Sequence, residues 1–387
     1  MREVAVIGVG MTQFGKHTDK TIRELGEEAV WAALQDAGMS PKDVQVAYAG
    51  NALGRISGQE MISGQMVLRE VGITGIPITR IEDACASASF AFRESWLAVA
   101  SGLFDVAVAV GYEKMTGATT AEIMEALAGA SDTEMEASLG ITFPGVFAMV
   151  ARRHMYQYGT TREQLAQVSV KNHDNGALNP RSQYQKRFTV EEVLASRPIA
   201  SPLGLLDCCP ISDGCAAAIL VAKDLVPRYA RKPIWIAASG QASGSFEPGS
   251  DITILKPTIT ASQSAYNQAG LGPEDIDLAE VHDCFTIAEV LHTEDLGFAS
   301  KGEGGPFIQD GNTAIGGRIP INTSGGLLSK GHPVGATGLA QIVEVVEQLR
   351  GQSGQRQVEG AKVGLAMCLG GFMHSDAGVV AVHILKS

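Results

Sequence analysis

Several short stretches of this chain are apolar almost without interruption: residues 4–9, 106–110, 219–222, 363–367 and 379–385. A strand with one face in water alternates apolar and polar side chains, whereas a strand covered by helices on both faces does not need to. Segments of helical period lie between these runs. Over residues 342–349, Ile342, Val345, Val346 and Leu349 fall at i, i+3, i+4 and i+7, which builds one apolar stripe. The pattern predicts an α/β protein with helices on both faces of its sheets.

The chain also repeats itself. Ala33, Ala37, Gly38, Pro41, Asp43 and Ala47 recur at one constant spacing as Ala265, Ala269, Gly270, Pro273, Asp275 and Ala279. Each copy reads as helix, glycine stop, proline turn, then strand. A second ordered match sets Ser212, Asp213, Ala218 and Lys223 against Ser375, Asp376, Ala381 and Lys386, at a shorter spacing. Duplication with extra residues in the first copy explains both. The expected division is an N-terminal half, 1–230, which includes an irregular, loop-rich insertion at about 114–210, and a C-terminal half, 231–387.

Composition narrows the classes. A chain of 387 residues has room for two such halves, and 45% hydrophobic with 19% charged residues is ordinary for a globular protein. The net charge of −12 argues against a nucleic-acid or anionic-membrane surface, while a local basic patch can still serve a small anionic ligand. No apolar run reaches the ~18 residues of a membrane span, and the first residues enter a strand pattern with no signal-peptide core. The six cysteines show neither Cys-x-x-Cys pairs nor zinc spacing, and are expected as free thiols in a reducing cytoplasm.

Candidate chemistry gathers at strand ends. Cys85 lies where an acidic turn meets the apolar helical stretch 86–100, and unpaired N–H groups at a helix start would favour its thiolate. His332 stands just before another helix, with Pro333 at its first turn, and is the counterpart of the Cys85 region by order within the repeat. Cys368 follows one strand run, and His282 and Cys284 follow another, at the carboxyl ends where α/β sheets bind ligands. Gly8-Val9-Gly10 has Gln13 in place of the third glycine of a dinucleotide turn, and reads as a plain strand-to-helix turn. His154 and His173 read as ordinary surface or core histidines. Arg152, Arg153, Lys171, Arg181, Lys186 and Arg187 make the insertion locally basic, either as a solvated face or as a platform for phosphates.

At these residues the sequence resembles the thiolase superfamily. Asp83-Ala-Cys-Ala-Ser87 is similar to the nucleophile loop, Gly331-His332-Pro333 to the catalytic-histidine loop, and Cys368-Leu369-Gly370 to the second-cysteine loop. Val281-His-Asp-Cys-Phe285 resembles the sterol-carrier-protein-type and archaeal-like branch, where most thiolases carry Asn-Glu-Ala-Phe. The resemblance implies two fused thiolase-fold halves in αβαβα layers, with a loop domain between. It implies CoA-dependent cleavage of a β-ketoacyl-CoA, or the reverse Claisen condensation, through an acyl-enzyme on Cys85. His332 would be the base, His282 would assist at the enolate oxygen, and Cys368 would be the second acid/base, with Cys284 the alternative for that role. CoA and acyl-CoA enter as substrates, with no metal or redox cofactor. The acyl group is open among branched, aromatic and carboxylated types. A homodimer core is implied, along with a small zinc-ribbon/OB-fold partner protein. A ketoacyl or hydroxymethylglutaryl-CoA synthase on the same fold, or a non-catalytic lipid-transfer or acyl-CoA-binding subunit, are the rival readings.

Overall fold

The computed structural model describes residues 1–54, 61–229, 232–247 and 249–387. The expected junction at 230–231 lies outside the described residues. The strands are β1 (Val4–Met11), β2 (Val46–Gly50), β3 (Ile78–Ile81), β4 (Val106–Glu113), β5 (Pro198–Ala200), β6 (Leu203–Gly204), β7 (Gly214–Ala222), β8 (Ile234–Ser243), β9 (Leu278–Glu280), β10 (Val363–Met373) and β11 (Asp376–Lys386). β5 and β6 form a small ribbon. The others make one mixed sheet in the order β3-β2-β4-β7-β1-β8-β11-β10-β9.

Outward from the β1–β8 seam, the order is β1-β7-β4-β2-β3 on one side and β8-β11-β10-β9 on the other. Apart from the extra edge strand β3, each side lays down its first, last, third and second strand, so one topology occurs twice. Pairing repeats as well: β2 with β4 and β9 with β10 are parallel, whereas β7 with β4 and β11 with β10 are antiparallel. The matched segments adopt matched structures. The helix Ile22–Ala37 stops at left-handed Gly38, turns at Pro41–Asp43 and enters β2. The helix Lys256–Ala269 stops at left-handed Gly270, turns at Pro273–Asp275 and enters β9.

The uninterrupted apolar runs follow from the layering. Val106, Val108 and Val110 of β4 face the layer of helix Ile22–Ala37, with Leu25 and Val30. The intervening Ala107 and Ala109 face a central pair of helices, Ser87–Ala100 and Thr337–Arg350, through Phe92, Trp96 and Leu339. The second half has its own outer layer in helices Lys256–Ala269 and Thr286–Asp295. Small residues let the central helices close up. A Cβ on Gly111 would come within 2.5 Å of the Ala88 methyl, and one on Gly338 within 2.4 Å of Ser89 Oγ. The two helix starts are thereby pressed against the sheet and against each other.

The insertion departs from expectation. Instead of being loop-rich it holds the helices Thr120–Ala128, Phe143–Tyr158, Arg162–Ala177 and Val190–Leu194. Thr119 with Glu122, Thr161 with Gln164, and Thr189 with Glu192 close reciprocal caps that satisfy the first N–H groups of three of them. No helix among the described residues is long and apolar enough to cross a membrane.

Candidate active site

Cys85 sits in a tight turn ahead of helix Ser87–Ala100. Ala84 takes a left-handed conformation, φ 49°. Ser87 Oγ donates to Ala84 O at 2.6 Å and accepts the Asp83 N–H at 3.0 Å, which locks the turn. The expectation of a thiolate stabilised at a helix start is corrected here. The helix begins only at Ser87, whose N–H is already bonded to Ala84 O. Burial dominates and pushes the Cys85 thiol up to about 12, although the N–H groups of Gly371 and of Cys85 itself act in the opposite sense.

His332 follows a wide helical turn, Gly326–Lys330, and Gly331 at φ 113°. Asp283 accepts the N–H groups of Leu327 at 2.7 Å and Leu328 at 3.3 Å and so holds that turn. The His332 backbone N–H donates to Ser212 Oγ at 3.0 Å, and Ser212 donates in turn to Gln183 Oε1 at 2.5 Å. Thr337 Oγ1 lies 2.7 Å from His332 Nδ1 and donates its only proton to Pro333 O at 3.1 Å. Thr337 must then accept from Nδ1–H, which leaves Nε2 of His332 as the ring's free lone pair. Burial pushes this imidazole down to about 3, so it stays neutral.

The His282 ring meets that of His332 edge to face, centroids 5.1 Å apart. Burial lowers the pKa of His282 well below the usual histidine range, helped by His332 and His292. Its Nδ1 is 3.5 Å from Cys368 Sγ, and Cys368 donates to Cys85 O at 3.2 Å. The Cys85 sulfur and one ring nitrogen of each of His282 and His332 all lie within 4.8 Å of one another. Those three donors could share a soft cation, and equally a thiol flanked by two imidazole bases is an equipped nucleophile.

An apolar cavity of about 180 Å³ opens onto Cys85, His282 and His332. Cys284 lines it beside Phe285, whereas Cys368 lies behind Cys85 and is not among its lining residues. The insertion supplies much of the wall, including Leu127, Phe143 and Phe147. Several of the insertion's cations are spent within the chain. Lys171 pairs with Glu289 at 2.7 Å, Arg187 lies 3.6 Å from Asp174, Arg181 pairs with Glu347, and Arg152 binds Ser201. His154 is buried between Thr160 and Glu294, and His173 packs against Phe188, so both are structural. Sequence reasoning did not single out Asp283, Thr337 or Gln183. Only Asp283, flanked by His282 and Cys284, carried any signal.

A duplicated α/β unit that brings a cysteine and two histidines together at a central helix pair is the build of a thiolase, and the chain belongs to that family. Residues 4–224 match the thiolase N-terminal domain and residues 238–385 the thiolase C-terminal domain-like family. An acetyl-CoA acetyltransferase of Methanothermobacter thermautotrophicus is 51% identical over 100% of both chains. Sterol carrier protein 2 of Gallus gallus is 38% identical over 99% of this chain and 75% of its own. Those two relatives are of the branch expected from His282-Asp283-Cys284-Phe285. Among solved structures, the Ltp2-ChsH2(DUF35) aldolase superposes with a TM-score of 0.85 at 30% identity, covering 100% of this chain and 98% of that one.

Proposed function

We propose that the protein is a thiolase-type acyl-CoA C-acyltransferase in which Cys85 takes the acyl group of a β-ketoacyl-CoA and passes it to CoA. The carrying observation is the Cys85 sulfur within 4.8 Å of ring nitrogens of both His282 and His332, at the foot of an apolar cavity. His332 Nε2 removes the thiol proton as the sulfur reaches the keto carbon. The thiol and imidazole are both neutral at rest, so this transfer belongs to the acylation step and not to the free enzyme. The Gly371 and Cys85 N–H groups, already directed at the sulfur, are placed to receive the developing oxyanion. His282 steadies the enolate oxygen. Cys368, touching both Cys85 and His282, protonates the enolate carbon and later activates CoA.

CoA is a co-substrate in this scheme and no prosthetic group takes part. The family resemblance supports a homodimer core, and β3 leaves the outer edge of the sheet open for it. A DUF35 protein is part of the similar solved aldolase, which supports a small zinc-ribbon/OB-fold partner for this chain. All six cysteines are free, which suits a cytoplasmic setting. Intact mass spectrometry after mixing with a β-ketoacyl-CoA tests the central step. The wild type gains one acyl mass on Cys85 and Cys85→Ser gains none. Undiminished acyl-CoA binding without any adduct would instead support a carrier.

A further inference from the structure

The cavity at Cys85 is informative about what it holds. Its walls include Met124, Leu127, Phe143, Phe147, Ile199 and Leu205. Phe147 stacks on Phe285 with centroids 4.7 Å apart and planes at 25°, and leans on Phe372 at 5.8 Å. No Asp, Glu, Lys or Arg is among the lining residues. The pantetheine arm of CoA carries two amides that need hydrogen-bond partners, and the lining side chains offer only thiols, weak partners, and the two reacting imidazoles. The cavity therefore suits the acyl end of the substrate and not the carrier arm.

Size and polarity then restrict that acyl end. An apolar protein cavity of ~150 Å³ accepts a benzene molecule, and this one measures about 180 Å³. An acetyl group would leave most of it void, and a terminal carboxylate would be buried with no Lys or Arg among the lining residues to pair it. We infer that the acyl group transferred by Cys85 is uncharged and bulky, a branched chain or an aromatic ring of about benzoyl size, and is neither acetyl nor carboxylated. This rests on the thiolysis reading above. In the step concerned, the Cys85 Sγ–C3 bond forms and the C2–C3 bond breaks with its electron pair on C2. That carbon takes the Cys368 proton and departs as acetyl-CoA, while His332 holds the proton from the Cys85 thiol. The CoA sulfur then bonds to the acyl carbon as its own proton passes to Cys368, the Cys85 thioester breaks, and His332 returns its proton to Cys85.

The test uses the full chain with its partner if one co-purifies, and three probes: acetoacetyl-CoA, benzoylacetyl-CoA and 3-oxoadipyl-CoA. Each buried methylene contributes about four-fold, so benzoylacetyl-CoA is expected to exceed acetoacetyl-CoA by at least ~100-fold in kcat/KM. The Cys85 adduct is then benzoyl, and the carboxylated probe leaves none. Ala130 also lines the cavity, and Ala130→Leu, which narrows it, lowers the ratio of benzoyl to acetyl adduct at least ten-fold. Equal or better use of acetoacetyl-CoA, efficient use of 3-oxoadipyl-CoA, or a ratio that Ala130→Leu does not move, each overturns the inference while leaving Cys85 chemistry standing. No adduct from any of the three overturns the thiolysis reading and this inference together.

Discussion

At the scale of single residues, the site rests in an uncharged state. A thiol pushed up to about 12 faces an imidazole pushed down to about 3, so the ion pair of a cysteine protease is absent from the free enzyme. The pH profile of acylation follows from this. With the base unprotonated far below the usual histidine range, kcat/KM for Cys85 acylation shows no acidic limb near pH 6.5, and a limb there would refute the assignment of His332. Thr337 is a positioning residue, because it fixes the tautomer that exposes Nε2. Thr337→Val should lower acylation by about 10- to 100-fold with KM little changed, and Thr337→Ser should restore it. Cys368→Ser should block solvent deuterium exchange at C2 of an acyl-CoA, whereas Cys284→Ser should alter only the fit of the acyl group. The reverse outcome would transfer the acid/base role to Cys284. His282 and Cys284 do follow β9 and His332 stands ahead of a helix, as the sequence suggested, whereas Cys368, expected after a strand, lies within β10. The ionisation of these groups was not legible, since the charge-stabilising N–H groups could be anticipated while the burial that outweighs them arises only from tertiary packing.

At the scale of elements, much was legible and the reasons are specific. Gly38 and Gly270, followed by Pro41 and Pro273, announce helix end and turn in both copies, and the structure repeats them with φ of 65° and 67°. Gly8 and Gly10 serve packing. A Cβ on Gly8 would lie 2.2 Å from Ala33 O, so the glycines admit helix Ile22–Ala37 close to β1. The polarity of the insertion hides its helices, although Thr119-Thr-Ala-Glu122, Thr161-Arg-Glu-Gln164 and Thr189-Val-Glu-Glu192 are capping-box patterns that mark three of their starts. The hold of Asp283 on Leu327 and Leu328 spans too much chain for any local pattern to reveal. The central helix contact is open to test. Gly338→Ala drives a methyl into Ser89, and overpacking of this kind costs about 1–3 kcal/mol, which should appear as a lower denaturation midpoint in urea. Acylation by the folded fraction should fall too, because the same contact brings the two helix starts together.

At the scale of the whole molecule, the thiols give a signed prediction. Cys85 and Cys208 are pushed up to about 12, and Cys209, Cys215, Cys284 and Cys368 are also raised, with burial the largest cause in each case. Above about pH 8.5 the unfolded chain loses thiol protons that the native chain keeps. The native state then binds more protons, and stability falls as pH rises. Each fully buried thiol contributes a slope of about 1.4 kcal/mol per pH unit in that window. Thermal melts from pH 8 to 10.5 should show a steep loss, and a flat profile would refute this account of the buried cysteines.

Within the sheet the two halves join at β1 and β8, through the pairs Ala5↔Trp235 and Val6↔Ile234, and the central helices Ser87–Ala100 and Thr337–Arg350 pack across the same junction. The sulfur at residue 85 belongs to one half and the imidazoles at 282 and 332 to the other. On the chemistry proposed for these three residues, neither half alone is expected to turn over substrate, and a split version should regain turnover only when its fragments find each other, which makes product formation a readout of their docking. The insertion supplies one wall of the acyl cavity and none of the reacting groups, so its Leu127, Phe143 and Phe147 can drift toward new acyl groups while Cys85, His282 and His332 stay untouched.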